Sequence, residues 1–442
     1  MCSDRVATAI PLPAAGGKVF YGWWIVVCAV VGLAFGASAI SLFTFGVFVR
    51  PLELEFGWTR GELSLGVTTI TCMSVLLSPL HGLVIDRFGV RRTLIPSILL
   101  FGLGVMTMST LAGSIWQFYG MWALITLVGI ITWPMSYSRA LVAWFDRQRG
   151  LAIGVGLAGV GLGTIILPVI AQSIIAAYGW RMAYIWLGGL VLVTTLPLIA
   201  LRFRDTPAEL GLQPDGETDG QAALGGRGAR SGFTFRQSVR LPSFWCIVAV
   251  FFLVGGVTTA MIQHQVPMLI DRGISPQKAA FVQSAFGFAI LVGRIAGGYL
   301  MDRLFAPHVA IAFFIGPVLG LSFYALGATG ELAYLSAALV GLAVGAEFDL
   351  ISYLTSRYFG QRSFGALYGI IFSAFQLGSG LAAAGLGFAA ARFGGYSQPL
   401  WVLVGATLLS IGLLALLPRR FESIAYEDAA ILKGYLENSE TR

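Results

Sequence analysis

The sequence contains very little charge for its length. Only 11% of its 442 residues are Asp, Glu, Lys or Arg, whereas 57% are hydrophobic and the mean hydropathy is +0.82. A soluble domain carries about a quarter charged residues. The composition therefore excludes an ordinary water-soluble protein and indicates a protein that resides in a lipid bilayer.

Patterns that would hold a metal or a cofactor are also missing. The four cysteines, Cys2, Cys28, Cys72 and Cys246, are scattered without CxxC or Cys/His spacing, so we expect neither a metal site nor a disulfide framework. The stretch 154–163 contains GxGxxG, but no strand precedes it, and GxxxxGK[ST] is absent. We therefore expect no cofactor and no enzyme, since no nucleophile/base set is visible. The net charge of +7 is read as membrane topology, not as a nucleic-acid interface.

Apolar runs long enough to cross a membrane recur along almost the whole chain. A helix needs about 20 residues to span a hydrocarbon core of roughly 30 Å, and the alternating pattern of barrel strands is absent. The sequence predicts an all-α membrane protein with twelve transmembrane helices, at 20–48, 61–85, 92–113, 116–143, 150–177, 181–202, 244–270, 277–301, 308–328, 331–357, 364–391 and 397–418.

The distribution of Lys and Arg predicts the orientation of these spans. Twenty of the 28 basic residues fall on the side that holds both termini, and six fall on the other side. Because cytoplasmic loops retain positive charge, we expect a multi-pass protein of the cell's inner membrane with both termini cytoplasmic. The first twenty residues lack the layout of a cleaved signal, so we expect the first span to remain as an anchor.

The spans divide into two groups of six. Residues 203–243 are rich in Gly and charge and predict a cytoplasmic linker. This gives an N-terminal tail (1–19), a first half (20–202), the linker, a second half (244–418) and a C-terminal tail (419–442). "GLVIDR" at 82–87 matches "GYLMDR" at 298–303, and "WFDRQRG" at 144–150 matches "YFGQRSFG" at 358–365. Such repeats indicate a duplicated transporter with its substrate between the halves.

Several of these segments resemble a known family. "GLVIDRFGVRR" at 82–92 is similar to the signature loop of the major facilitator superfamily, and the resemblance covers essentially the whole chain. "YGWWIVV" at 21–27, "LEFGWTRGELS" at 54–64 and "GAEFDLISYLTSRYFG" at 345–360 resemble the bacterial branch related to monocarboxylate transporters and oxalate:formate antiporters. The resemblance implies two pseudo-symmetric six-helix halves that transport by alternating access.

The signature loop predicts a conformational latch made by Gly82, Asp86, Arg87, Arg91 and Asp146. Gly82 permits close helix approach, Asp86 fits against the N-terminus of a neighbouring helix, and Arg91 is expected to pair with Asp146. The alternative is a solvated basic loop that only sets topology.

Arg294 lies in the middle of an otherwise apolar span, eight residues before Asp302. A charge there costs about 2.5–3.5 kcal/mol on insertion scales and is a functional candidate. A guanidinium matches a carboxylate bidentately, and the resemblance implies an Arg at this place for the substrate anion. Two positions depart from the family patterns: Ile290 replaces an Asp of the monocarboxylate pattern, and Phe375 replaces a Lys of the oxalate pattern. The alternative for Arg294 is a structural ion pair.

Glu347 and Asp349 are the candidates for proton coupling. They are two residues apart on one helix, about 200° around its axis, so they cannot both face the cavity. We expect one to form a salt bridge with Arg294 or Arg139 and the other to carry a proton. The alternative is a structural brace between helices.

The remaining candidates each have a second reading. Arg139 either binds substrate, or extends to the interface or pairs with an acid of helix ten. His264 either carries a proton or donates a hydrogen bond in the gating region. Gln263, Tyr353, Phe375 and Gln376 either line the pocket or serve in packing or lipid contact.

Together these observations predict a monomeric secondary active transporter that carries a small organic monocarboxylate with a proton through the lipid bilayer. An anion exchanger or a drug or metabolite efflux carrier of the same fold is the alternative. A sensor would need a larger signalling domain than the short tail provides.

Overall fold

The structure is a computed structural model that describes residues 20–216 and 232–421. The predicted N-terminal tail (1–19), the middle of the linker (217–231) and residues 422–442 of the predicted C-terminal tail lie outside the described residues.

Within this part of the chain, twelve helices are long and apolar enough to cross a membrane. They are α1 (Gly22–Phe43), α2 (Leu65–Phe88), α3 (Val90–Thr110), α4 (Ile115–Trp144), α5 (Arg149–Tyr178), α6 (Trp180–Arg202), α7 (Pro242–Asp271), α8 (Gln277–Met301), α9 (Ala306–Ala325), α10 (Glu331–Phe359), α11 (Phe364–Phe393) and α12 (Ser397–Ala415). The predicted all-α fold is confirmed, and the spans differ from the predicted ones by a few residues at their ends.

Irregular turns interrupt three of the first six spans, and a 3₁₀ turn at Met108–Thr110 ends a fourth, α3. In α1 the α-helix ends at Ala34, a π-helical turn covers Ala39–Phe43, and a further helix, Phe45–Phe56, follows it. In α4 a 3₁₀ turn at Ile130–Thr132 precedes a new helix, Pro134–Trp144, because proline cannot donate to the preceding turn. A π-helical turn also interrupts α6 at Val191–Thr195.

The irregular turns of α1 and α4 face each other. The backbone N–H of Ala37 donates to the hydroxyl of Thr132 over 3.0 Å. In a bilayer, backbone groups that leave the helix pattern need a partner inside the protein. This bond supplies one, and it explains how two broken helices can stand side by side in an apolar layer.

Short helices lie in the connections. Pro207–Leu210 and Pro214–Gly216 follow α6, and Phe235–Ser238 precedes α7. Tight turns join neighbouring spans elsewhere: Gly89 between α2 and α3 has φ 85°, a left-handed conformation that favours glycine. No strand occurs among residues 20–216 and 232–421; Gly232 and Gly360 form an isolated bridge.

Helix packing separates α1–α6 from α7–α12. In the first set, α1 packs against α5 and α3 against α6; in the second, α7 packs against α11 and α8 against α10. The two sets meet mainly where α2 lies against α11 and where α5 lies against α8. We call α1–α6 the first half and α7–α12 the second half.

Candidate transport site and gate

The halves meet through two equivalent contacts at one end of the bundle. We call it the gate end; α2, α4, α8 and α10 finish there. The carboxylate of Asp86 accepts hydrogen bonds from two backbone N–H groups in the first turn of α11, over 3.1 and 3.0 Å. The carboxylate of Asp302 accepts two such bonds from the first turn of α5, over 2.6 and 2.9 Å. Each carboxylate satisfies N–H groups that a helix start leaves free and opposes the positive end of the helix dipole.

Glycines bring the helix backbones together at both contacts. A Cβ atom on Gly82 would collide with the carbonyl oxygen of Gly365, and one on Gly298 would lie 2.5 Å from the carbonyl oxygen of Gly150. The structure thus places Gly82 and Asp86 in the contacts that the sequence predicts for them. It also adds their counterparts in the second half.

Burial and hydrogen bonding act in opposite directions on Asp302, which lies just beyond α8. Burial raises the pKa of Asp302 above its usual value, and the backbone N–H bonds from α5 partly oppose that shift. The hydrogen bonds therefore hold the Asp302 carboxylate in place, while its partial removal from water disfavours its charged form.

The predicted pair between Arg91 and Asp146 is wrong. The backbone N–H of Arg91 donates to Asp205 at the start of the linker over 2.7 Å, and its guanidinium donates to a carbonyl in α6 over 2.7 Å. Asp146 instead lies 2.8 Å from Arg357 of the second half and 3.0 Å from Arg149. Arg91 thus fixes the linker to its own half, while Asp146 forms a third contact across the gate.

Two further predicted residues lie elsewhere than expected. Arg87 is exposed, and its guanidinium lies over the ring of Phe88, 5.3 Å from the centroid, so it takes no part in the cross-half contacts described here. Arg139 lies 3.3 Å from Asp86. The structure therefore places Arg139 at the gate, not in the central cavity and not beside an acid of α10.

Arg294 lies at the middle of the bundle and reaches across both halves. Its Nε donates to the carbonyl of Gly345 in α10 over 3.3 Å, and its Nη1 donates to the carbonyl of Leu157 in α5 over 2.5 Å. A guanidinium has five N–H donors, so these two bonds leave most of its capacity unused. Arg294 keeps 7% of its surface accessible. The predicted salt bridge to a helix-ten acid is absent among the described residues.

Asp349 and Glu347 face different parts of the protein. Asp349 is fully buried beside Gly154 of α5, and neither of its carboxylate oxygens has a hydrogen-bond partner in the described structure. Glu347 accepts a hydrogen bond from Thr258 and lines a small cavity inside the second half. Both lie close enough to Arg294 for electrostatic attraction. The divergence agrees with the predicted 200° between them.

Tyr353, a predicted pocket residue, and His264, a predicted proton-coupling residue, both have structural partners. The hydroxyl of Tyr353 donates to the carbonyl of Met301 over 2.7 Å. The ring nitrogens of His264 lie 3.2 Å from the Tyr396 hydroxyl and 2.9 Å from the Ala383 carbonyl. His264 therefore ties α7 to α11, and both of its ring nitrogens are engaged.

The other predicted lining residues differ in exposure. Gln263 is exposed and Gln376 is half-buried. Phe375 is buried, and its ring lies 5.2 Å from that of Phe348 and 6.1 Å from that of Phe372. Of the predicted lining residues, Phe375 belongs to a group of aromatic rings at the middle of the bundle.

Comparison with known proteins identifies the family. The chain matches the family described as the Major Facilitator Superfamily over residues 31–383. The chain belongs to the major facilitator superfamily. It is therefore a membrane transporter and not an enzyme.

Among curated proteins, the transporter is similar to monocarboxylate transporters. It is 28% identical to monocarboxylate transporter 13 of Bos taurus, covering 92% of this chain and 91% of that one. It is 27% identical to monocarboxylate transporter 12-B of Danio rerio, covering 82% and 79% of the two chains. Among solved structures, a proton:xylose symporter has a TM-score of 0.70 at 15% identity, covering 91% and 98% of the two chains. The E. coli fucose:proton symporter has a TM-score of 0.68 at 14% identity, covering 90% and 99%. These structural similarities establish the fold.

The transporter also contains a buried histidine that the sequence reasoning missed. His81 in α2 is 2% exposed, and its Nε2 lies 2.8 Å from the hydroxyl of Ser136 in α4. Trp133 of α4 and Phe372 of α11 line a small cavity beside it. Its only sequence signal is a polar residue directly before Gly82 in an apolar span.

The two halves are in direct contact at the gate end. The hydroxyl of Ser352 in α10 also donates to that of Ser138 in α4 over 2.9 Å. Further along α2 and α11, the hydroxyl of Ser373 donates to the carbonyl of Val75 over 2.8 Å.

Proposed function

We propose that this transporter carries an organic monocarboxylate together with a proton by alternating access. The observation that carries the proposal is the environment of Arg294: its guanidinium lies buried at the middle of the bundle and bonds to two carbonyls and to no carboxylate among the described residues. A positive charge at this depth is costly unless a negative group accompanies it.

The carboxylate of a substrate supplies that negative group. The unused N–H donors of Arg294 form a planar fork that matches two carboxylate oxygens, and the bond is strengthened where water is scarce. Because Arg294 also donates to Leu157 of the first half, a bound anion would lie at the junction of the two halves. The names of the curated relatives support a monocarboxylate as cargo.

Asp349 is proposed as the proton-coupling group. Its oxygens have no hydrogen-bond partner in the described structure, and the attraction of Arg294 acts on it. When a substrate carboxylate binds to Arg294, two negative groups share one positive charge. A proton on Asp349 removes one of the two negative charges, so that the site is neutral again. Movement of an acid with its proton is electroneutral, whereas an unaccompanied anion would work against about 2.3 kcal/mol per 100 mV.

Glu347 is proposed to have a structural role, because its carboxyl group points into the interior of the second half and bonds to Thr258. Opening at the gate end requires the bonds of Asp86, Asp302 and Asp146 to break together. In this proposal the gate end lies on the cytoplasmic face of the inner membrane, with both termini on that side, and the basic residues around it support this orientation. A monomer is sufficient for this cycle.

Uptake by purified protein in proteoliposomes tests the proposal. With an imposed pH gradient, the wild type should accumulate radiolabelled acids from a panel of lactate, pyruvate, benzoate, phenylacetate and succinate. Arg294→Gln should weaken the apparent affinity at least tenfold, because it keeps a polar group but loses the charge. Arg272→Gln is the matched control: Arg272 also donates to two carbonyls, but near the end of α7 away from the gate.

The coupling group is tested in the same vesicles. Asp349→Asn should abolish accumulation driven by the pH gradient while retaining counterflow of acid for acid, and Glu347→Gln should keep both. Wild-type uptake that ignores the gradient but requires an acid inside would establish anion exchange instead. Uptake that survives Arg294→Gln unchanged would refute the carboxylate site.

A further inference from the structure

Four aromatic side chains meet at the middle of the bundle, and we call them the aromatic cluster: Trp133, Phe348, Phe372 and Phe375. Trp133 comes from the first half and approaches Phe372 edge to face, with 5.8 Å between the centroids and 79° between the ring planes. Phe348 of α10 lies 6.0 Å from Phe372 and 5.2 Å from Phe375. The cluster therefore extends from the second half across the junction to the first.

The aromatic cluster adjoins the proposed anion site. Phe348 lies between Glu347 and Asp349 in the chain and three residues after Gly345, whose carbonyl accepts the bond from Arg294. Three residues along a helix correspond to a rise of about 4.5 Å and return to nearly the same face. One surface of α10 thus carries both the partner of the guanidinium and an aromatic ring.

Phe348 is partly accessible where its neighbours are not. Between Val340 and Ser356 of α10, Leu342 and Phe348 are the two residues that are not buried, and Leu342 lies against Gly293 of α8. Because α10 contacts α7, α8, α9 and α11 of its own half as well as α4 and α5 of the first half, the accessible surface on Phe348 beside Phe372 and Phe375 belongs to the interior. An apolar surface open to the interior is available to a ligand.

We propose that the transported acid carries an aromatic ring, with its carboxylate on Arg294 and its ring against Phe348 and Phe375. This inference rests on the proposed function and names its substrate class. A short hydrophilic acid would leave the aromatic surface without a partner, whereas an aromatic ring gains apolar burial and ring contacts. Phe375 occupies this surface with an apolar ring, so no second cation is offered there to a dicarboxylate.

The ring contact also links binding to the conformational change. Trp133 and Phe372 belong to opposite halves, so rocking of the halves alters the edge-to-face contact between them. A substrate ring that packs against this contact touches both halves at once. The carboxylate and the ring would then hold the two halves together at separate points.

Competition for uptake tests the inference. With labelled phenylacetate as the probe, unlabelled benzoate and phenylacetate should compete at concentrations at least tenfold below those of lactate or acetate. Phe348→Ala should raise the half-inhibitory concentration of phenylacetate about tenfold and leave that of lactate within twofold. Phe348→Leu keeps most of the packing volume without the aromatic face, so it tests the same point if the alanine variant folds poorly. Phe388→Ala, on a side chain that is 80% exposed in α11, is the matched control.

The outcomes separate this inference from the proposed function. Equal loss of lactate and phenylacetate in the Phe348 variants, or no loss of either, would overturn the aromatic assignment while leaving the carboxylate site intact. Arg294→Gln should weaken both acids. Competition by neutral phenylethanol that equals that of phenylacetate would retain the ring site and refute the carboxylate site.

Discussion

Removal of the Asp302 carboxylate should open the gate end. In Asp302→Ala the first turn of α5 loses two hydrogen bonds of 2.6 and 2.9 Å. A hydrogen bond to a charged group contributes about 1.5–3 kcal/mol. Burial of Asp302, which raises its pKa, offsets part of this contribution, and all these groups regain water when the gate opens. We therefore take about 1–1.5 kcal/mol for each bond, at or below the lower end. The closed conformation should therefore lose about 2–3 kcal/mol, which corresponds to roughly a 30- to 150-fold shift toward the open gate.

Pulsed electron paramagnetic resonance measures that shift directly. Spin labels at Arg92 in the first half and at Leu304 in the second, both exposed near the gate end, report the separation of the halves in a background without native cysteines. Asp302→Ala should populate a longer distance that is minor in the parent. Asp271→Ala removes an exposed carboxylate at the opposite end of the bundle and should leave the distribution unchanged. An unchanged distribution in Asp302→Ala would show that the carboxylate does not hold the gate.

The same labels test the titration of Asp302. Burial raises the pKa of Asp302 in the closed gate, whereas in the open gate the group returns toward its ordinary value of 3.8. The closed conformation then binds the proton more tightly, so its population should rise as the pH falls through the raised pKa toward 3.8. In Asp302→Ala this part of the pH dependence should be missing. A parent gate that opens on acidification in this range would contradict the reasoning.

Two further perturbations test the packing. Gly298→Ala should disfavour the closed gate by about 1–3 kcal/mol, because its Cβ would press on the α5 backbone. Gly287→Ala is the control in the same helix: its Cβ would have no neighbouring atom within 4 Å, so the distance assay should show no such effect. At the opposite end of the bundle, hydrogen bonds from Trp180 and Arg181 lower the pKa of Glu55. The stability that ionised Glu55 contributes is therefore present at neutral pH and is lost as the pH falls through that lowered pKa. Glu55→Gln should reduce the free energy of unfolding by about 0.5 kcal/mol at pH 7, since the pair is partly exposed, and thermal unfolding at pH 7 and pH 3 should show the difference disappearing in acid.

The sequence predicted those features that depend on local pattern. The spans follow from the length of apolar runs, and the contact of Asp86 follows from a carboxylate at the end of a helix next to a glycine that permits close approach. Arg294 could be singled out because a charge in an apolar span has few explanations. Its partners could not be predicted, because they are the backbone carbonyls of Gly345 and Leu157, and every residue has a carbonyl.

The partners of the gate residues could not be predicted from the sequence for a related reason. Asp146 has basic residues near it in several loops, and only the docking of the halves selects Arg357. Arg91 does not reach Asp146, because its backbone N–H donates to the carboxylate of Asp205 at the start of the linker. The aromatic cluster was missed because rings in apolar spans have no pattern that separates a ligand surface from packing; Phe348 differs from its neighbours only by its accessibility.

The gate contact occurs in both halves of the repeat, whereas the Arg of the proposed binding site occurs in the second half alone. Asp86 and Asp302 end equivalent helices and make equivalent contacts with helix starts of the opposite half. Eight residues before Asp302 lies Arg294, but eight residues before Asp86 lies Ser78, whose hydroxyl bonds within its own helix. A symmetric gate suits two halves that rock as equals. An anion has one charged end, so a single guanidinium at the junction is sufficient, and a second would leave a buried positive charge without a partner.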